Sequence, residues 1–160
     1  MKSDVYFVKT TDGGMETRRD AFLKLLNKVE LLPGAKKYEI IPVKITIGDT
    51  KCVYHVSPEL VKLAVNGLKQ KTLKPFLFDT NVIYKGSRLN AVDHLTLAQN
   101  KGFSHSRTGA PFIIADGVFG QDGKKHKIDS EHIKKIKVPS FVEYLDNLMV
   151  LSHVTCHILS

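Results

Sequence analysis

The densest group of residues able to do chemistry begins directly after the apolar run PFLF. Its members are Asp79, Thr80, Asn81, Tyr84, Gly86 and Arg88. An acid, a hydroxyl and an amide in succession supply both hydrogen-bond donors and acceptors. Arg88 adds a planar fork that matches a carboxylate or a phosphate. Because the chain has no glycine-rich fingerprint of the Rossmann or P-loop type, this group does not predict a nucleotide cofactor.

Polar residues follow the other predicted strands in the same way. These strand ends supply Gly48, Asp49, Thr50, Asp116, Gly117, Ser152 and His153. Ligands of open α/β sheets bind outside the carboxyl ends of the strands, so these residues predict one shared ligand-binding rim. The alternative for any single aspartate is a helix N-cap or a turn former. Several coinciding strand ends favour the ligand site.

A metal site is a further possibility near the carboxyl terminus. His153 and His157 have the spacing of two ligands on one helix turn, and Cys156 lies between them. The alternative is a strand-end histidine followed by an irregular tail, in which the two rings do not converge. We interpret His94 as a helix-face residue packed against the sheet, and Cys52 as a small apolar residue.

Short apolar runs alternate with amphipathic segments along the chain. Strands are predicted at 5–10, 43–47, 75–78, 111–115 and 148–154, and helices at 22–29, 57–68, 91–101 and 140–147. Ser57 is the predicted N-cap of the second helix with Pro58 at its first position, Gly102 the predicted stop of the third, and Ser140-x-x-Glu143 a capping box that opens the fourth. Residues 120–138 fit either a hairpin or a short helix. This alternation predicts a three-layer α/β sandwich, with a mostly parallel sheet covered by helices on both faces. No compositional change marks a boundary, so we expect residues 1–160 to form a single domain.

Composition excludes several classes of protein. The chain has 160 residues and a formal net charge of +8. No run approaches the roughly 20 apolar residues of a membrane helix, and the amino-terminal residues do not match a secretory signal. We therefore expect a cytoplasmic protein without a membrane partner. Two cysteines exclude a disulfide framework and a self-contained four-cysteine zinc or iron–sulfur site.

Much of the positive charge lies in one short segment. Its lysines are Lys124, Lys125, Lys127, Lys134, Lys135 and Lys137. The segment could bind anions or nucleic acid. No aromatic residues interleave with these lysines, as binding of single strands would require, so the sequence favours a solvated hairpin or helix face. From the sequence we do not expect a nucleic acid partner.

Four segments carry a family resemblance. PFLFDTNVIYKGSRLNAVDH, AQNKGF, GAPFIIADGVFGQDG and LMVLSHVTCH resemble a bacterial and archaeal family of uncharacterised iron–sulfur-centre proteins, labelled a domain of unknown function. The resemblance runs over residues 5–157. It implies a three-layer α/β fold, a ferredoxin-like carboxyl-terminal segment and a fold similar to that of nickel-dependent lactate racemase. The matching positions are Asp79, Thr80, Asn81, Tyr84, Gly86, Arg88, His94, Asp116, Gly117, His153 and His157.

The chain departs from the family pattern in three places. Thr46 stands where the family has a histidine, Val154–Cys156 replace the middle of the last motif, and the chain corresponds to the amino-terminal part of the family only. The family's cluster-binding cysteines are absent, so the cofactor is unknown and a divalent metal stays open. We expect a sheet shortened in this way to expose an apolar edge and to self-associate through it.

Three functions stay open on this basis. The first is a binding domain for a metal or small anion, with its site at the carboxyl ends of the strands. The second is an enzyme in which Asp79, Asp116 and Arg88 bind a small carboxylate or phosphate and His153 transfers protons. The third is a basic module that binds anionic partners through residues 124–137.

Overall fold

The computed structural model describes residues 4–10 and 14–154. Its helices are α1 (Met15–Lys28), α2 (Pro58–Gln70), α3 (Ala91–Asn100) and α4 (His105–Thr108), with a 3-10 helix at Ser140–Tyr144. Its strands are β1 (Ile40–Ile45), β2 (Lys74–Asp79), β3 (Phe112–Ile114), β4 (Lys124–Lys127), β5 (Lys135–Val138) and β6 (Met149–Leu151). Strands β4 and β5 form a separate antiparallel hairpin.

Four strands form one sheet in the order β3-β2-β1-β6, and every neighbouring pair is parallel. The predicted α/β class and parallel sheet are therefore confirmed. Strand β1 begins earlier than predicted and includes Pro42, which pairs with Phe76 of β2. Pairing with β6 begins only at Val43, so Pro42 lies beyond the end of that ladder and its missing N–H costs no hydrogen bond there.

The two faces of the sheet are covered unequally. Alternate residues of a strand point to opposite faces. One face carries Val43 and Leu77, both fully buried, beneath α2 and α3. Its helical cover is supplied by Val61, Ala64, Val65, Leu68, Leu97 and Ala98. The other face carries Phe76 and Phe78, which meet the ring of Phe141 from the 3-10 helix at centroid distances of 5.4 and 5.0 Å.

Local signals place the two longer sheet-facing helices. Ser57 caps α2 by accepting a hydrogen bond from the Glu59 amide at 3.2 Å, and Pro58 occupies the first helical position as predicted. Asn90 caps α3 through the Asp93 amide at 3.0 Å. Gly102 follows the end of α3 with φ of 89°, a conformation that favours glycine. These ends place the loops that precede α2 and α3 at the carboxyl edge of the sheet.

Three predictions of local structure are wrong. Residues 5–10 form no strand, and Val5 and Phe7 are 91% and 83% exposed because no neighbouring strand pairs with them. Ser140 does not open an α-helix to residue 147: the segment is a short 3-10 helix preceded by Pro139, without a side-chain cap. The last strand ends at Leu151 rather than at residue 154.

The structure decides between the hairpin and the helix that the sequence left open for residues 120–138. Residues 120–138, which fitted two structures, contain the β4–β5 hairpin. Strand β6 is an edge of the sheet, where Val150 is 58% exposed, and self-association through an edge stays a prediction. Within residues 4–10 and 14–154, no helix combines the length and apolar character needed to cross a bilayer.

Candidate functional site

All four strands of the sheet run in the same direction, so their carboxyl ends lie at one edge. The residues that follow β1 and β2 contact one another there, as do those that follow β2 and β3. They form three clusters, which differ in whether every polar atom of the central charged side chain is paired. That difference separates candidates for function from residues that hold the edge together.

The first cluster joins the ends of β2 and β3, and both carboxylate oxygens of its aspartate are paired, although Asn81 Oδ1 is buried without a partner among the described residues. The backbone amide of Asn81 donates to both carboxylate oxygens of Asp116, at 3.0 and 3.1 Å. The Asn81 side-chain amide donates to Asp116 Oδ1 at 3.1 Å and to the Gly117 carbonyl at 2.8 Å. Three of the predicted site residues are thus brought together. Their contacts tie two loops to each other and use most of the carboxylate's capacity as an acceptor.

The second cluster surrounds Asp79, the last residue of β2. Asp79 is 3% exposed. Its Oδ1 lies 3.0 Å from the Lys44 ammonium and accepts a hydrogen bond from the Thr80 amide at 2.9 Å. Its Oδ2 lies 3.6 Å from Nε2 of His94, a fully buried residue of α3. An acid, an ammonium and an imidazole therefore meet at the end of the strand.

The charge state of Asp79 is set by opposing effects. Burial alone would raise the pKa of its carboxyl. The His94 imidazole, the Lys44 ammonium and the Thr80 amide outweigh burial, so the pKa lies below its usual value. Asp79 Oδ2 and both ring nitrogens of His94 nevertheless have no hydrogen-bond partner among the described residues. Polar atoms buried without a partner are costly and call for an explanation.

The third cluster is centred on Arg88. This residue is 8% exposed, and its Nη2 donates to the Tyr84 hydroxyl at 2.6 Å. Its Nε is buried without a partner among the described residues. Within residues 4–10 and 14–154, no carboxylate oxygen lies within 4.0 Å of the guanidinium. Tyr84 and Arg88, which belong to one motif of the sequence, therefore contact each other directly.

The loop after β1 completes the Arg88 cluster. The Lys101 ammonium donates to the carbonyls of Ile47 at 2.9 Å, Asp49 at 2.5 Å and Cys52 at 2.8 Å. These three bonds hold the loop over the end of α3. The Thr50 hydroxyl lies 2.7 Å from that of Ser87, which joins this loop to the one after β2.

Two pKa values show that Arg88 and its neighbours share one electrostatic environment. A hydrogen bond from the Thr50 amide is the main reason that the pKa of Asp49 is lowered, and the positive charge of Arg88 adds to it. Burial is the main reason that the pKa of Lys101 is lowered, and repulsion from Arg88 adds to it. Two cations thus share one nearby carboxylate in this cluster.

Of the two predicted metal ligands, His153 lies elsewhere along the same edge. His153 stacks on Tyr54 with a centroid distance of 6.2 Å and lines a cavity of about 430 Å³ with His55 and Ser57. His157 and Cys156 lie outside the described residues. Among the residues that are described, no three His, Cys, Asp or Glu side chains form a group able to hold a metal ion. The His153–His157 site therefore stays a prediction.

The cysteines do not suit a four-cysteine iron–sulfur cluster. The sequence contains two cysteines. Cys52 is half-buried and donates its thiol to the Tyr54 carbonyl at 3.6 Å. Such a cluster takes four thiolate ligands, so it does not fit the residues of this chain.

Lys44 and Lys101 were not predicted as parts of the edge, and His94 was interpreted as separate from it. Lys44 carried a signal, because it is the one charged residue in the strand IIPVKI. His94 carried a weaker one, since it lies on the buried side of α3 with Leu97 and Ala98. Lys101 follows α3 as an ordinary basic residue, and nothing local distinguishes it. Thr80, a predicted site residue, contributes only its backbone amide to the contacts described here.

Comparisons with known proteins identify a family but no function. The model of the family described as Domain of unknown function (DUF362) matches residues 41–160. No curated protein and no solved structure matched the chain. The matched residues include all of the parallel sheet except Ile40, and all three clusters at its carboxyl edge. The chain therefore belongs to the DUF362 family.

Proposed function

We propose that this chain binds a small anionic compound, a carboxylate or a phosphate, at the carboxyl edge of its sheet through Arg88. One observation carries the proposal: Arg88 is 8% exposed, and no carboxylate among the described residues lies within 4.0 Å of its guanidinium. Buried charges in proteins are normally paired or bound to a ligand. An anionic ligand would supply the missing partner.

The balance of charge around Arg88 supports an anion rather than a cation. Asp49 is near enough for Arg88 to lower its pKa, and Lys101 is near enough to be repelled. Two positive charges and one negative charge leave one positive charge uncompensated. The Lys101 ammonium already donates to three loop carbonyls, so the donors of Arg88 are the ones available to a ligand.

Tyr84 and the neighbouring hydroxyls give the proposed site its geometry. The 2.6 Å bond from Arg88 Nη2 to the Tyr84 hydroxyl holds one side of the guanidinium. A planar fork held in this way can bind a carboxylate or phosphate through two parallel hydrogen bonds. Ser87 and Thr50 place two hydroxyls on the adjoining loops, and both line a neighbouring cavity of about 410 Å³ whose lining does not include Arg88.

A binding titration tests the proposal. Inorganic phosphate and lactate are added separately to the protein, and the amide chemical shifts of the loops after β1 and β2 are followed by NMR. Removing a charge-assisted hydrogen bond costs about 1.5–3 kcal/mol, which corresponds to roughly a 10- to 100-fold weaker affinity. We expect Arg88→Gln to lose affinity by this factor.

The matched control is Arg19→Gln, which removes one positive charge from an exposed position of α1. It should leave the affinity for both anions unchanged. Equal affinity of Arg88→Gln and the native protein would contradict the proposal, and so would an equal loss in Arg19→Gln. Circular dichroism at the titration temperature shows that both variants are folded.

A second candidate function is an enzyme that acts on the same class of compound. The observation that favours it is the buried Asp79, which contacts both Lys44 and His94 while its Oδ2 has no hydrogen-bond partner among the described residues. The Lys44 side chain is 29% exposed. Its ammonium also donates to the Ile45 carbonyl at 2.9 Å and to the Thr46 hydroxyl at 3.0 Å, so a substrate would replace one of these two partners while Asp79 holds the ammonium group. In this candidate Lys44 would transfer a proton, in place of the role first assigned to His153.

Turnover distinguishes the two candidates. The protein is incubated with 2-hydroxy acids and phosphate monoesters, and products are followed by NMR. An enzyme should lose turnover in Asp79→Asn while Arg88→Gln weakens substrate binding. Anion binding without any product would leave the binding domain as the function and contradict the enzyme.

A further inference from the structure

The β4–β5 hairpin arranges its lysines in a way that the sequence does not reveal. Lys125 lies directly opposite Lys137, and Lys127 directly opposite Lys135. Residues opposite one another in an antiparallel pair point to the same face, as do residues two apart on one strand. These four exposed side chains therefore form one surface, which we call the lysine face.

The opposite face of the same hairpin is compensated. Lys124 forms an ion pair with Glu143 of the 3-10 helix and lies 5.8 Å from the centroid of the Tyr144 ring. His126 lies 3.6 Å from the same carboxylate. This face thus has a partner within the protein, which leaves the lysine face turned outwards.

The lysine face has no acidic partner of this kind, although the Lys137 ammonium donates to the Gln121 carbonyl at 2.5 Å. Within the described parts of the chain, no carboxylate oxygen lies within 4.0 Å of any of its four ammonium groups. Like charges directly opposite in a sheet destabilise the pair. The hairpin contains two such lysine pairs in succession, and the protein as a whole has a formal net charge of +8. An evenly spaced set of negative charges would relieve the repulsion within these pairs.

We propose that the lysine face binds the phosphate backbone of a nucleic acid duplex without sequence preference. Alternate residues of a strand lie roughly 7 Å apart, and opposite residues roughly 5 Å. The face therefore presents a small grid of cations to a polymer of regularly spaced phosphates. Binding would arise mainly from the release of counterions from the duplex. This proposal is independent of the Arg88 site.

The composition of the face distinguishes among polyanions. It carries no aromatic side chain, so it offers no platform for the unpaired bases of a single strand. The four lysines of the face provide no apolar side chain that could insert into a bilayer. The turn that joins the two strands contains Asp129 and Glu131 beside Lys134, and its Ile133 is 56% exposed. The two carboxylates of that turn would oppose its approach to an anionic membrane. A duplex needs only contact with the flat of the ribbon.

The test uses fluorescence anisotropy of a short labelled DNA duplex with the full chain. Four phosphate contacts predict a slope of about −3.6 for the logarithm of affinity against the logarithm of salt concentration. Between about 50 and 200 mM salt, that slope corresponds to roughly a 100-fold loss of affinity. We expect two duplexes of different sequence to bind equally.

Two variants with the same net charge locate the binding surface. One replaces the four lysines of the lysine face with glutamine, and we expect it to lose nearly all of the salt-dependent affinity. The control replaces four exposed lysines elsewhere with glutamine: Lys24, Lys28, Lys51 and Lys62. It should keep most of the affinity. Lys127→Gln/Lys135→Gln should lose about half of the slope, and it serves as the test if the fourfold variant does not fold.

Each alternative outcome would overturn the proposal. Equal losses in the fourfold variant and the control would show that net charge alone is responsible. If neither duplex bound at the lowest salt concentration, duplex nucleic acid would be excluded as the ligand of this face. Tighter binding to vesicles containing phosphatidylserine than to the duplex, lost in the same variant, would assign the face to a membrane instead.

Discussion

Asp79 and Asp116 are both aspartates at the carboxyl ends of neighbouring parallel strands, and their surroundings differ. Asp116 accepts the backbone amide and the side-chain amide of Asn81. Asp79 lies between Lys44 and His94 with one oxygen unpaired among the described residues. The same residue type at the same kind of position thus ties two loops together in one case and holds a buried charge in the other.

This difference shows why a strand-end aspartate is an ambiguous signal. A carboxylate whose partners come from the backbone of the next loop stabilises that loop, as turn-forming aspartates do. A carboxylate whose partners are titratable side chains is a candidate for chemistry. The Asn81–Asp116 cluster should therefore respond to mutation with a loss of stability, and the clusters around Asp79 and Arg88 with a loss of binding.

The largest expected effect on stability is that of Asp116→Ala. It leaves the amide of Asn81 without its acceptor and removes one of two acceptors of the Asn81 side chain. We expect the free energy of unfolding in urea to fall by about 3 kcal/mol. Asp20→Ala, at an exposed position of α1, is the control and should change it by less than about 0.5 kcal/mol. A similarly small change in the unfolding free energy of Asp116→Ala would show that this cluster does not stabilise the fold.

Two glycines sharpen the comparison. Gly117 has φ of 81°, so alanine there adopts a left-handed conformation at a cost of about 1–2 kcal/mol. Gly86 requires no such conformation, but an added Cβ would lie 2.6 Å from Asp49 Oδ2. We expect Gly117→Ala to destabilise the protein without weakening anion binding. We expect Gly86→Ala to weaken anion binding without destabilising the protein. Urea unfolding and the phosphate titration measure the two effects, and the opposite pattern would contradict the division of roles.

His94→Leu should change stability less than Asp116→Ala or Gly117→Ala. The imidazole is fully buried and has no hydrogen-bond partner among the described residues, so an apolar side chain avoids the cost of desolvating it, which offsets the loss of its contact with Asp79. We expect the free energy of unfolding to stay within about 1 kcal/mol of the native value. A loss as large as that of Asp116→Ala would show that His94 stabilises the fold.

The smallest expected effect is a change in pH dependence. The pKa of Asp79 is lowered in the folded protein, so its contribution to stability is complete above the unfolded-state pKa of about 3.9. That contribution is lost as the pH falls through the lower folded-state pKa. We expect Asp79→Asn to lose less stability than the native protein between about pH 5 and pH 2. Parallel curves of unfolding free energy against pH would contradict the lowered pKa.

Much of the fold could be predicted from the sequence because its signals are local. The N-cap Ser57 with Pro58, the stop at Gly102 and the apolar strands all act over a few residues, and each was predicted. The failures have physical causes too. The run at residues 5–10 has the composition of a strand but finds no neighbour, and the Ser140 box follows Pro139 in a segment that forms only a short 3-10 helix.

The candidate site could be predicted only in part. The polar strand ends were visible, and Asn81 with Asp116 and Tyr84 with Arg88 do contact each other. The contacts of Asp79 with Lys44 and His94 could not be predicted, because they depend on which strand neighbours β2 and which helix covers it. Lys101 reaches a loop about fifty positions earlier in the chain, which no local pattern encodes.

The sequence by itself determined the class of fold, the positions of the principal helices and strands, and the concentration of polar residues at strand ends. Only the tertiary structure decided which polar residues meet, which remain unpaired and which lysines face one another on the β4–β5 hairpin. The physical reason is the range of the forces involved. Propensity, capping and periodicity act between residues close in sequence, whereas strand order and register bring together charges that are distant along the chain.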